Sequence, residues 1–347
     1  MSSLDSSNVA SPTKTPGGSA SSVSTAAATS ANAVRKVPTL SLAAYTRGTE
    51  AEKQKFVAGL YEGLKDYGFV ILKDHGVQPS LLHKAYQLLE KFYQLPTETK
   101  RGYISKAGGG QRGYTPFGQE HAKDAQVMDL KEFWHVGRDV RADHPLKDKF
   151  YPDNIWPTEV PEFKAVFTEL YQSLENAGEL MLEALTGPLE VPKDFFRKMT
   201  HEGNSILRLL HYPPIPEGTD PRCLRAAPHE DINFITILPA ATASGLQLKE
   251  RDGTWLDIDC EPDTLIVDAG DMLARLTNDV IPSTTHQVVN SPESKNKSRY
   301  SMPFFMHPNP HAMLSCLPSC RGAGAKYEDI TGGDFLMQRL REIGLIK

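Results

Sequence analysis

Between Ser205 and Met306 the chain breaks into short apolar runs separated by turn residues: I-L-R-L-L, I-N-F-I-T-I-L, G-L-Q-L, T-W-L-D-I, T-L-I-V, H-Q-V-V and Y-S-M-P-F-F. Each run is too short for a stable helix and rich in β-branched or aromatic residues, so each reads as a strand. Asp252-Gly253, between two of them, is a hairpin signal. Strands at this spacing bury their apolar faces only against a second sheet, which predicts a β-sandwich or barrel.

The region before it has a helical period. Phe56, Val57, Leu60, Tyr61 and Leu64 form one stripe, ended by Gly68, and F-V-I-L follows as a short buried strand. Leu81, Leu82, Ala85, Leu88, Leu89 and Phe92 form a second stripe that stops at Pro96. Pro161 reads as the first residue of a long helix carrying Phe163, Phe167, Leu170, Leu174 and Ala177, with Gly187-Pro188 as its stop. Helices from the N-terminal half around a β core give an α+β class in a single domain. The expected divisions are a disordered Ser/Ala/Thr-rich tail at 1–36 and one domain at 37–347. Within that domain, 37–150 is a mixed helical and strand region, 151–200 a long supporting helix, 201–310 the β core and 311–347 a C-terminal segment. An organelle transit peptide is the competing reading of the tail, disfavoured by Asp5 and by the lack of arginine before Arg35.

A formal charge of −5 with scattered lysines and arginines gives no footprint for nucleic acid or anionic membrane, so the expected partner is a small molecule. No apolar run is long enough to span a bilayer and no secretory signal is evident, which points to the cytoplasm. Four cysteines in 347 residues suit reduced thiols, and C-L-P-S-C lacks the second pair that a zinc site needs. K-A-G-G-G-Q-R-G lacks the lysine and hydroxyl of a phosphate loop. Oligomeric state is left open.

In A-P-H-E-D-I-N-F, read as the start of a strand, His229 and Asp231 fall on one side of the chain. His286, in H-Q-V-V, offers a third ligand. Two imidazoles and a carboxylate on one face of an ion leave open positions, an arrangement suited to non-haem Fe(II). An isolated H-x-D is more often a hydrogen-bonded or surface pair; the last strand argues otherwise. There Arg299 and Ser301 share a face with Pro303 and Phe305, and a guanidinium among such neighbours calls for an anion. A keto acid chelating iron at one end needs that anchor at the other, and Tyr212 in L-R-L-L-H-Y-P-P is placed to assist. Arg112, Tyr114, Phe133 and Phe305 are candidate substrate-pocket residues, with Trp134 and His135 beside Phe133. His75 reads as a structural turn residue and Arg208 as a substrate cation or a structural ion pair.

V-P-T-L-S-L, D-Y-G-F-V with D-H-G-V, A-P-H-E-D, V-D-A-G-D-M-L-A-R-L-T-N-D, S-T-T-H-Q-V, R-Y-S-M-P-F-F and Y-E-D-I-T-G-G-D-F-L occur in that order. Together they resemble the isopenicillin-N-synthase-like group of Fe(II)/2-oxoglutarate-dependent oxygenases, of a microbial type, from about residue 37 to the end. The resemblance implies a double-stranded β-helix, the cupin-like jelly roll, with iron on His229, Asp231 and His286. It implies that Arg299 and Ser301, with Tyr212, hold the distal carboxylate of 2-oxoglutarate. It also implies an O2-dependent dioxygenase that releases succinate and CO2 while hydroxylating or desaturating a small molecule. Plant members usually read N-Y-Y-P-P where this chain has Leu210-His211-Tyr212-Pro213-Pro214, so an asparagine that often contacts the co-substrate is absent. Two other readings stay open: an iron oxidase of the same fold that performs cyclisation without 2-oxoglutarate, and a non-catalytic binding protein.

Overall fold

A computed structural model describes residues 36–105, 111–119, 127–291 and 296–342. The tail expected at 1–36 lies outside these residues apart from Lys36, as does the chain end beyond 342. Val37–Lys347 forms one unit. Its described elements begin with β1 (Thr39–Ser41), α1 (Leu42–Arg47), α2 (Glu50–Tyr67), β2 (Phe69–Lys73), α3 (Pro79–Tyr93), α4 (Thr97–Arg101), β3 (Gly113–Thr115) and β4 (Glu132–Gly137). Then come α5 (Lys147–Phe150), α6 (Phe163–Leu185), α7 (Phe195–Thr200), β5 (Ile206–Tyr212), β6 (Ala226–His229), β7 (Ile235–Pro239), β8 (Leu246–Lys249) and β9 (Trp255–Asp257). The last are β10 (Leu265–Ala269), α8 (Asp271–Leu276), β11 (His286–Val288), β12 (Arg299–Ser301), β13 (Phe304–Met306), the short pair β14 (Met313–Leu314) and β15 (Ile330–Thr331), and α9 (Gly332–Glu342).

Two sheets carry the β core. The larger runs β1-β2-β10-β7-β13-β5-β4-β3, with β12 also paired to β5, and the smaller runs β6-β11-β8-β9. Side-chain alternation sorts every long strand of the larger sheet between two environments. On β2, Val70 and Leu72 join the main core under the helices, while Phe69 and Ile71 join the second cluster with Leu246, Leu248 and Val288 of the smaller sheet. On β5, Leu207 and Leu209 face the helices, and Arg208, Leu210 and Tyr212 line a cavity between the sheets. The helical face is closed by α2, α3 and α6, whose Leu60, Leu64, Leu89, Phe92, Phe167 and Leu174 are almost fully buried. Burying such side chains contributes about 1.5–3 kcal/mol each, which anchors the helices on the sheet.

Local signals set the helix ends. Thr49 and Glu52 form a reciprocal capping box at the start of α2, and Gly68 ends it in the left-handed conformation at φ 70°. A Cβ at Gly68 would meet Thr284 Oγ1 at 2.1 Å, so glycine is required twice over. Pro79 opens α3 as its first residue.

Four details differ from the sequence expectations. The N-terminal region is not merely wrapped around the barrel; β1 to β4 extend the larger sheet at both of its edges. The run after His229 becomes a strand only at Ile235, because Asp271 N–H and Met272 N–H draw the carbonyls of Asp231, Ile232 and Asn233 into a turn. Y-S-M-P-F-F splits into β12 and β13 around Met302-Pro303, since proline has no N–H for the ladder. Helix α6 begins at Phe163, two residues beyond Pro161, with Glu162 as its N-cap.

Candidate active site

His229 ends β6 and His286 opens β11, and the two are register partners across the smaller sheet. Asp231 lies in the turn that follows β6, so it reaches His229 by chain reversal and not by strand parity. Among the described residues these three form the one group of histidine, cysteine and acidic side chains with ligand atoms all within 4.8 Å of one another. Nε2 of His229 and Nε2 of His286 each stand 3.9 Å from Oδ1 of Asp231. Each ring turns Nδ1 to a backbone carbonyl, Ala227 O at 2.8 Å and Thr284 O at 3.1 Å, so the Nδ1–H donates and Nε2 is left with its lone pair. The hydroxyl of Thr236 donates to Oδ2 of Asp231, which leaves Oδ1 for the two imidazoles. This donor set fits a divalent iron ion, with neutral nitrogens and one carboxylate converging on one point.

Electrostatics follow from burial. Desolvation, reinforced by His286, pushes His229 down to about 4 against the pull of Asp231. Asp268, on β10, also lines the cavity with Oδ2 3.8 Å from His286 Nδ1. Burial and the neighbouring Asp231 hold its carboxyl well above the usual carboxylate range.

The V-D-A-G-D-M stretch has a mechanical part in this geometry. Gly270 packs flat against the Asp231 turn: a Cβ there would lie 2.3 Å from Asn233 O and 2.9 Å from Asp231 O. The backbone N–H of Asp271 donates to Asp231 O at 2.7 Å.

Arg299 and Ser301, on β12, line the same cavity. Arg299 is 2% exposed, donates from Nε to Ala243 O at 3.0 Å, and lies 5.1 Å above the Tyr212 ring. Its Nη1 has no partner among the described residues, a buried cation atom whose desolvation an anion would offset. A carboxylate fits this end. Leu210, opposite Ser301 in the β5–β12 register, presents an apolar wall where an asparagine would present an amide.

The remaining candidates scatter. Phe305 lines the cavity with Pro303. Phe133 sits one layer back, its ring 4.2 Å beneath the Arg208 guanidinium. Tyr114 pairs with Trp134 on the helix-facing side of β4 and donates to Glu132, so strand parity takes it away from the cavity. Arg112 is 1% exposed, packs on Gly137 at the other end of β4 and donates from Nη1 to Gln111 O. Trp134 is core. His75 holds a turn, bonded to Asp263 O and Val77 N. Arg208 lines the cavity and donates from Nε to His135 Nε2 at 2.7 Å. The four cysteines are free thiols. Lys131, paired to Asp129 at 2.9 Å, and Asp268 and Thr236 also line the cavity, although none of them stands in a local motif that marks a site. Parity along K-E-F-W-H and T-L-I-V-D-A was the available signal for Lys131 and Asp268.

Comparison with known proteins agrees with this geometry. Residues 203–308 match the 2OG-Fe(II) oxygenase superfamily, and residues 37–159 match the N-terminal region described as that of a non-haem dioxygenase in morphine synthesis. The 2-oxoglutarate-Fe(II) type oxidoreductase hxnY of Emericella nidulans is 31% identical over 300 residues, covering 83% of this chain and 85% of that protein. The chain belongs to the 2OG-Fe(II) oxygenase superfamily. A crystal structure of a Caulobacter crescentus protein assigned to that family superposes on this oxygenase with a TM-score of 0.79 at 42% identity, covering 88% of this chain and 98% of the other. A full-length Neurospora crassa protein solved with alpha-KG and thymine gives a TM-score of 0.78 at 28% identity, with 88% and 96% covered. The oxygenase thus has the jelly-roll fold and is an Fe(II)- and 2-oxoglutarate-dependent dioxygenase using O2. None of its described helices is long and apolar enough to cross a membrane.

Proposed function

We propose that His229, Asp231 and His286 hold the Fe(II), and that Arg299, with Ser301 and Tyr212, holds the distal carboxylate of 2-oxoglutarate. One observation carries this assignment. The two Nε2 lone pairs and Asp231 Oδ1 converge in a cavity that is also lined by Arg299, whose buried Nη1 has no partner among the described residues. Bound iron supplies the activation of O2 and the oxidative decarboxylation of 2-oxoglutarate to succinate and CO2. The protein's own groups do the positioning. Thr236 fixes Asp231, the backbone carbonyls fix both imidazole tautomers, and the walls of Phe69, Leu238, Ile266 and Val288 keep water from the reacting centre.

The substrate lies against Phe305 and Arg208. Arg208 is held by His135 on its Nε edge and stacked between Phe133 and Phe305, 4.2 and 5.4 Å from the ring centres. A guanidinium fixed in plane beside an aromatic wall suits a small planar ring with carbonyl acceptors. The Neurospora crassa protein bound to thymine or 5-formyluracil supports that class. Oxidation of a C–H bond, by hydroxylation or desaturation, is the outcome. Residues 37–347 act as a single oxygenase domain, and the free thiols suit a cytoplasmic enzyme.

The test is a panel of pyrimidines and related rings offered to the Fe(II)-loaded enzyme with 2-oxoglutarate, in wild type, Arg208→Ala and Phe305→Ala. Both variants should raise KM for the accepted ring while leaving KM for 2-oxoglutarate unchanged. Wild-type KM for the ring in both variants would place the substrate elsewhere.

A further inference from the structure

Behind the co-substrate end, on the helix-facing side of the larger sheet, lies a buried chain of polar side chains that the reaction does not use. Glu132 of β4 and His211 of β5 are direct register partners, and Tyr300 of β12 is the partner of His211 on its other side. Glu132 takes Lys100 Nζ on both oxygens at 3.0 and 2.9 Å, the hydroxyl of Tyr114 on Oε2, and His211 Nδ1–H on Oε1 at 2.7 Å. With Nδ1 donating, His211 Nε2 accepts from Ser298 Oγ at 3.0 Å. The imidazole is clamped between Tyr300 and Tyr93, 4.9 Å from each ring centre. Burial pushes the Glu132 carboxyl up, but hydrogen bonds from His211, Tyr114 and Lys100 outweigh it and hold the group below the usual range.

Position gives this chain its meaning. Along a strand, alternate residues face opposite ways, so each outer-face contact fixes the inner-face residues beside it. His211 lies between Leu210 and Tyr212, and Ser298 immediately precedes Arg299; Leu210, Tyr212 and Arg299 all line the cavity. Lys100 is delivered by α4, which starts after the Pro96 break, and it also donates to Tyr93 O at 3.2 Å. A continuous hydrogen-bonded path therefore runs from the helical layer to the residue before Arg299. None of the four side chains lines the cavity itself, so the path acts through the positions of Tyr212 and Arg299.

We infer that Lys100, Glu132, His211 and Ser298 are positioning residues for the co-substrate: they set how tightly 2-oxoglutarate is held without touching it, by fixing Tyr212 and Arg299. The inference rests on the assignment of Arg299 to 2-oxoglutarate made above.

The experiment titrates 2-oxoglutarate into the full chain loaded with Fe(II) under anaerobic conditions, and separately measures Fe(II) affinity. His211→Ala and Glu132→Gln should weaken 2-oxoglutarate about tenfold, the scale of a broken buried hydrogen bond to a charged group. Fe(II) affinity should stay unchanged, and His211→Gln, which keeps one donor and one acceptor, should recover most of the loss. If His211→Ala does not fold, Glu132→Gln, which preserves size, decides alone by the same two readings. Wild-type 2-oxoglutarate affinity in Glu132→Gln, with Arg299→Ala strongly impaired, would overturn the positioning role and leave the site assignment standing. Parallel loss of Fe(II) affinity would also overturn it, as general damage. An Arg299→Ala protein with wild-type affinity would remove the site assignment and this inference together.

Discussion

His229 and His286 face each other across β6 and β11 as register partners, their ring centres 4.4 Å apart and their planes 52° to one another. Backbone pairing, not side-chain contact, thus sets their separation. Replacing either by Ala should abolish Fe(II) binding, read as stoichiometry in an anaerobic titration, while the melting temperature of the metal-free protein stays near that of wild type. Full Fe(II) stoichiometry in His286→Ala would contradict the ligand assignment.

Arg299→Ala should weaken 2-oxoglutarate by about 2–5 kcal/mol, by analogy with truncation of buried charge pairs, and spare Fe(II) affinity. Arg299→Lys should restore only part, because an ammonium lacks the planar fork and its reach to Ala243 O. Wild-type affinity in Arg299→Lys would show that charge alone, and not the fork, recognises the co-substrate.

Gly270→Ala should couple stability to the metal site. The added methyl meets backbone oxygens of Asn233 and Asp231, which cannot move aside as a flexible side chain would. A loss of about 1–3 kcal/mol of stability is expected, together with weaker Fe(II) binding, because the turn that presents Asp231 must shift. Stability loss with unchanged Fe(II) affinity would show that the turn absorbs the strain elsewhere.

Acid should destabilise the metal-free protein through the buried neutral His307. Burial pushes its imidazole down to about 4, against the pull of Asp231. Below the ordinary histidine value near 6.5 the unfolded chain takes up a proton that the folded one refuses, so stability falls between about pH 6.5 and 4, by up to ~1.4 kcal/mol per pH unit. His307→Gln should flatten that slope in melting curves from pH 7 to 5. A slope unchanged by the substitution would assign the acid sensitivity to other groups.

The order of elements was legible because hydrophobic period and turn residues are local properties: the stripes at Phe56–Leu64 and Leu81–Phe92 are helices, and Leu265–Ala269 is a strand. His229, Asp231 and His286 come together as their spacing suggested, though for a different physical reason. Hydrogen bonds from Asp271 and Met272, far along the chain, bend the Asp231 segment into a turn. Tyr114 shows the opposite failure. Its neighbours in sequence suggested a pocket, and only the β3–β4 register, a non-local fact, turns it toward Glu132. The Lys100–Glu132–His211 chain was illegible for the same reason, since its members come from a helix and two strands that meet only in the folded sheet.

The most direct test of the central claim is the ratio of succinate formed to substrate oxidised by the Fe(II)-loaded enzyme, followed by mass spectrometry with a substrate found in the ring panel. The account predicts succinate and oxidised product in equal amounts, both lost in His286→Ala. Oxidised product formed while 2-oxoglutarate remains intact would contradict it.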